Sequence, residues 1–70
     1  MTILIVDDHP IVLKGIHALM ASSFAEARIM DAAGLKEAEQ MLNRHKVDIL
    51  ITDLDLNGES GSMLIEHVRD

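Results

Sequence analysis

The sequence contains no cysteine, no tryptophan and no tyrosine, and has a single phenylalanine, Phe24, and a single proline, Pro10. Without cysteine there can be neither a disulfide framework nor a thiolate metal site, and the redox compartment is left open. With one aromatic side chain, any core has to be aliphatic. Basic residues are also few: 6 Lys and Arg stand against 12 Asp and Glu, a net charge of −6. That balance opposes binding to nucleic acid or to an anionic membrane, both of which rely on a basic face to displace counterions. An anion that binds here needs a cation first. The chain opens with Met1-Thr2 and runs straight into Ile3-Leu4-Ile5-Val6 and two aspartates, lacking the basic start or long apolar stretch of a signal peptide or membrane span. A cytoplasmic location is the expectation. What the chain does have is aliphatic bulk. Hydrophobic residues make up 49% of its 70 positions, enough for a core and too many for intrinsic disorder. Since domains are typically roughly 100–150 residues long, at most one small domain is expected.

The order of elements is legible from hydrophobic spacing. Ile3-Leu4-Ile5-Val6 is a short apolar run, mostly β-branched, halted by Asp7-Asp8, as in a strand buried on both faces of a parallel sheet. From Pro10 the period becomes helical: Ile11, Val12, Gly15, Ile16, Leu19 and Met20 form a stripe, with Lys14 and His17 elsewhere on the wheel. Asp8 or His9 precedes a proline suited to a first helical turn, and Ser22-Ser23 ends the helix. A more polar strand spans 27–32. A second helix follows Gly34, with Leu35, Ala38, Met41 and Leu42 on one face and Lys36, Glu37, Glu39 and Arg44 on the other. A third strand spans 47–52 and ends in Asp53. Leu54 to Ser60 reads as a loop rich in Asp, Asn and Gly, and a last helix from about Gly61 groups Leu64, Ile65 and Val68. No repeat, low-complexity tract or linker interrupts the chain. The alternation implies parallel strands with right-handed crossovers, in the order second, first, third. The two most apolar strands belong inside, yet that order leaves the third at an edge with Ile49, Leu50 and Ile51 on its open side, a liability for association.

In an open parallel sheet, ligands bind beyond the carboxyl ends of the strands where the strand order reverses. Here that point lies between the first and third strands, and both end in acid: Asp7 and Asp8 after one, Asp53 and Asp55 after the other. Strand-terminal aspartates also serve to cap helices or solvate loops, so a lone pair would signify little. Converging carboxylates, however, repel one another until protons or a divalent cation neutralise them. With oxygen donors and no histidine or cysteine at matching positions, Mg²⁺ is favoured over zinc, and a site of that kind with open positions can bind a phosphoryl group.

The stretch Ile3-Leu4-Ile5-Val6-Asp7-Asp8-His9-Pro10 resembles the opening of receiver domains in the NarL/FixJ class of two-component response regulators. Asp48-Ile49-Leu50-Ile51-Thr52-Asp53-Leu54-Asp55-Leu56, followed by Gly61, is similar to the segment around their phosphorylated aspartate. The resemblance runs over residues 1–70 as a partial receiver domain. It implies an α/β, flavodoxin-like (βα)5 receiver fold truncated to three parallel strands, order 2-1-3, with flanking helices. It implies that Asp53 accepts a phosphoryl group and also ligates the metal, that Asp8 binds Mg²⁺ through its carboxylate with support from Asp7, and that the backbone carbonyl of Asp55 is a further metal ligand. It implies a sensor histidine kinase as donor, and DNA contact only through an output domain absent from this chain. By the same resemblance the chain is not an enzyme but a phosphoacceptor that at most assists its own phosphotransfer. Where the family has proline four residues after the acceptor, this chain has Asn57. The family's switch hydroxyl and fixed lysine correspond to positions after Asp70.

The remaining candidates are weaker. His9, His17, His45 and His67 form no ligand pair on one helix face and read as structural or solvent-facing, His9 being closest to the acidic pair. Met20, Met30, Met41 and Met63 fit core packing. Lys14, Lys36, Arg44 and Lys46 do not cluster into a DNA surface. The alternative to a working receiver is a switch-incompetent truncated receiver. Such a chain would act as an interaction module, pairing with itself or another receiver through the open third-strand edge.

Overall fold

A computed structural model describes residues 1–53, 55–56 and 59–61. The described elements are β1 (Thr2–Val6), α1 (Pro10–Ser23), β2 (Arg28–Ala32), α2 (Leu35–Arg44), β3 (Ile49–Thr52), β4 (Asp55–Leu56) and β5 (Glu59–Ser60). β1, β2 and β3 form one parallel sheet in the order β2-β1-β3, as expected. The truncated flavodoxin-like arrangement is therefore present, with a helix after each of the first two strands. The last helix anticipated from Gly61 onward lies outside the described residues.

β1 is the centre. Ile3, Leu4, Ile5 and Val6 are all essentially fully buried, which is what a continuous aliphatic run achieves when strands flank it on both edges and helices cover both faces. Register follows directly: Leu4 lies between Met30 and Leu50, and Val6 between Ala32 and Thr52. Leu4, Val6 and Ala32 pack with Leu35 and Ala38 of α2, joined by Met30, Met41, Leu42, Val47 and Leu50 at the margins. The face expected from the sequence for α2 is thus the one it buries. Glu37, at the third position of the helix, accepts a hydrogen bond from the Ala33 N–H at 3.3 Å and helps start it.

The opposite face of the sheet carries α1, whose inward side differs from the stripe expected from its periodicity. No α1 residue is buried, and Ile11 is 87% exposed, with Val12 and Leu19 also exposed. The side that turns inward is Leu13, Ile16, His17 and Met20, each half-buried and spaced as one helical face. His17, placed off the apolar stripe by periodicity, belongs to this face because β2 supplies a partner: its Nδ1 is 2.7 Å from Asp31 Oδ1. The polar residue that makes β2 look weak is therefore hydrogen-bonded to a histidine of α1.

The third strand lies at the edge to which the order 2-1-3 assigns it, and the segment after it differs from expectation. β3 is an edge strand, paired only with β1 among the described residues, and Ile49 is exposed on it. The second of the two most apolar strands thus sits outside, because a three-stranded parallel sheet of this order offers one interior place. The segment expected to be a loop contains an antiparallel pair, with Asp55 opposite Ser60 and Leu56 opposite Glu59. The sequence carries a signal for it: the dipeptide between them is Asn-Gly, the commonest choice for a two-residue hairpin connection.

Candidate functional site

The ends of β1 and β3 are tied together by main chain. The Asp53 N–H donates to the Val6 carbonyl at 3.1 Å, and the Asp7 N–H donates to the Ala32 carbonyl at 3.1 Å, so the ladder extends one residue past each strand end. Because β1 is central, this places its terminal acids next to the acid that ends β3. One ligand atom from each of Asp7, Asp8, His9 and Asp53 lies within 4.8 Å of all the others. Asp7, Asp8 and Asp53 therefore converge as expected. Asp55 lies in β4, two residues beyond Asp53.

The surroundings of each acid differ. Asp7 is buried, and its Oδ1 accepts hydrogen bonds from the His9 main-chain N–H at 2.8 Å and from the His9 ring at 2.7 Å. The main-chain bond is the chief cause holding its carboxyl below the usual range; the ring adds to it by hydrogen bonding and by charge, while burial pushes the other way. Asp8 Oδ1 is buried with no hydrogen-bond partner among the described residues. Asp53 is half-buried, with a third of its side chain open. Gly61 packs against its main chain: a Cβ there would overlap the Asp53 carbonyl oxygen and come within 3.0 Å of Thr52 Oγ1, whose hydroxyl donates to that same carbonyl at 2.9 Å. This explains physically why a glycine stands eight residues after Asp53.

His9 is the residue that sequence reasoning undervalues. It caps the start of α1, its carbonyl accepting the first helical bond from the Leu13 N–H at 2.9 Å, and Pro10 occupies the first turn. Its Nδ1 lies 2.7 Å from Asp7, 3.0 Å from Asp8 and 3.9 Å from Asp53. The hydrogen bond to Asp7 and the negative charges of Asp8 and Asp7 raise its pKa above the ordinary imidazole value, with a smaller part from Asp53. The expectation that no histidine stands at a position matching the acids is thus corrected. The available signal is adjacency to the Asp-Asp pair, followed by a proline that fixes the direction of the next turn.

The donors suit a hard divalent ion. Three carboxylates meet, and one of their oxygens is buried with no hydrogen-bond partner among the described residues, an arrangement that an ion of two positive charges satisfies. Asp7, Asp8 and Asp53 are the residues that would hold it. A shallow hollow lined by Met1, Phe24, Ala25, Glu26 and Ala27 lies at the amino ends of the strands, away from these groups, and brings together no such chemistry. No described helix is long and apolar enough to cross a membrane.

Fold and site together define a class: a parallel α/β domain with acids gathered beyond the carboxyl ends of its strands. Residues 3–70 match the response regulator receiver domain, and the chain belongs to that family. It is similar to the glycerol metabolism activator of Pseudomonas putida, 33% identical over 60 residues, which are 84% of this chain and 27% of that protein. The nitrate/nitrite response regulator protein NarP of Escherichia coli K12 is 30% identical over 67 residues, 96% of this chain and 31% of that protein. The Fimbriae Z protein of Salmonella typhimurium is 26% identical over 68 residues, 97% of this chain and 32% of that protein. The chain spans about a third or less of the length of these relatives. No solved structure gives a significant match.

Proposed function

We propose that this receiver accepts a phosphoryl group on Asp53 in a Mg²⁺-dependent reaction, with the phosphohistidine of a sensor kinase as donor. The observation that carries the reading is the placement of the Asp53 carboxylate, partly open at the end of β3, against the acids that end β1. An Asp53 oxygen attacks phosphorus, the P–N bond to the donor imidazole breaks, and the acyl phosphate stays on Asp53. Asp7, Asp8 and Asp53, with the Asp55 carbonyl, would hold the metal, which would offset charge on the transferring oxygens. The main-chain bond from Asp53 to Val6 fixes where the nucleophile stands, so the chain contributes position rather than turnover, and is a phosphoacceptor rather than an enzyme.

The setting that fits is the cytoplasm. The consequence would be control of a DNA-binding output domain. The acyl phosphate carries about −1.5 to −2 charges where the carboxylate carried −1, so phosphorylation adds roughly one negative charge at the end of β3. The test is incubation with Mg²⁺ and acetyl phosphate followed by intact mass. One phosphoryl group is expected on the wild type, and none in D53N or in EDTA; an unmodified wild type would remove the reading. A second reading, an interaction module, is favoured by the exposed Ile49 on the β3 edge and by the apolar outer side of α1.

A further inference from the structure

The proposed phosphotransfer leaves His9 without a part, although its ring stands among the acids. A six-coordinate ion with bonds of about 2.1 Å separates neighbouring donors by roughly 3 Å and opposite donors by roughly 4 Å. The ring nitrogen of His9 lies 3.0 Å from an Asp8 oxygen and 3.9 Å from an Asp53 oxygen, close to one edge and one diagonal of such a polyhedron, while its 2.7 Å hydrogen bond to Asp7 is the contact a metal would replace. Two other features bear on the same atom. Asp8 Oδ1, which faces it, is a buried acceptor with no hydrogen-bond partner among the described residues. The His9 main chain is anchored separately, because its own N–H donates to Asp7 at 2.8 Å; the exposed ring can leave Asp7 without unseating the turn.

We propose that His9 is itself a metal ligand, its Nδ1 joining carboxylate oxygens of Asp8 and Asp53 on one divalent ion. The inference rests on the acidic metal site proposed for phosphotransfer and specifies which ions that site takes. Imidazole nitrogen suits late first-row ions such as Fe²⁺, Co²⁺, Ni²⁺ and Zn²⁺, whereas Mg²⁺ prefers oxygen. A mixed nitrogen and oxygen site therefore discriminates between the two groups more steeply than carboxylates alone, and the receiver would respond to which divalent ion occupies it.

The test uses the 70-residue chain at pH 8. Calorimetric titrations with Mg²⁺ and with Ni²⁺ are run on the wild type, H9N and D8N, and proton NMR is recorded on the Co²⁺-loaded forms. Asparagine is a strong helix cap, so H9N keeps the start of α1, and circular dichroism checks that it does. The expected result is that H9N lowers Ni²⁺ affinity about tenfold or more and leaves Mg²⁺ affinity within about threefold. A far-shifted, exchangeable imidazole N–H resonance is expected in the Co²⁺ wild type and not in H9N. The proposal is overturned if the Ni²⁺ to Mg²⁺ ratio survives in H9N, if that resonance is missing from the wild type, or if H9N tightens both metals equally. Wild type that binds neither ion, or D8N that binds both as wild type does, would overturn the acidic site itself. Loss of both ions in D8N with an unchanged ratio in H9N overturns the His9 assignment alone.

Discussion

At the scale of single residues, the contact between His9 and Asp7 makes stability depend on pH in the absence of metal. His9 has a raised pKa in the folded chain, so its contribution is complete below the unfolded imidazole value of about 6.5 and is lost as pH rises through the folded value. Asp7 has a lowered pKa, so its contribution is complete above the ordinary carboxyl value near 4 and is lost as pH falls through the folded value. The pair should therefore stabilise most fully between roughly pH 4 and 6.5. Urea midpoints of wild type and H9N, measured in EDTA by circular dichroism, should differ most near pH 6 and draw together as pH rises through the folded His9 value. A difference that stays constant across that range would show that the ring acts through packing alone. This residue also marks where sequence becomes silent. Asp7, Asp8 and Asp53 are legible because each ends an apolar strand, while a histidine in a connecting turn carries no periodic signal.

At the scale of elements, legibility follows burial. β1 and the inward face of α2 are plain in the sequence because a deeply buried segment has little choice of residue: Ile3 to Val6 and Leu35 with Ala38 declare their surroundings. α1 is harder because it covers only the β1 and β2 side of the sheet, so its apolar residues point both inward and outward, and the stripe that matters includes His17. The β4 and β5 pair leaves no periodic trace, because two-residue strands have no measurable period, and the Asn-Gly dipeptide between them is its signal. The closing contact of that segment is testable. Adding one methyl group at Gly61 puts a carbon into the Asp53 carbonyl, and since main chain cannot step aside, G61A should cost about 1–3 kcal/mol. The loss should appear in the urea midpoint, together with slower phosphorylation of Asp53. Unchanged values for both would mean that the Gly61 main chain has room the structure does not give it.

At the scale of the whole molecule, a chain of 70 residues buries a modest share of its surface, and Ile11, Val12, Leu19, Phe24 and Ile49 remain exposed among the described residues. Ile49 sits on a strand paired on one side only among the described residues, the arrangement most open to pairing with another strand. Sedimentation velocity across about 5–200 μM, a range suited to weak self-association, should show a concentration-dependent dimer, and a charge placed on the edge by I49K should suppress it. A monomer throughout, for wild type and I49K alike, would remove the interaction-module reading and leave the receiver reading untouched.

The bond from Asp53 to Val6 carries one more implication. Neighbouring strands lie about 4.8 Å apart wherever a parallel ladder forms, so the distance between the acids of β1 and β3 is inherited from peptide geometry. Tolerance to change should be divided accordingly. Helix surfaces can drift in sequence with little effect on the separation of the carboxylates, whereas sliding β3 by one residue against β1 would turn Asp53 to the other face of the sheet and dismantle the cluster with every aspartate still present. In this chain, the alignment of two strands is as much a functional group as any carboxylate.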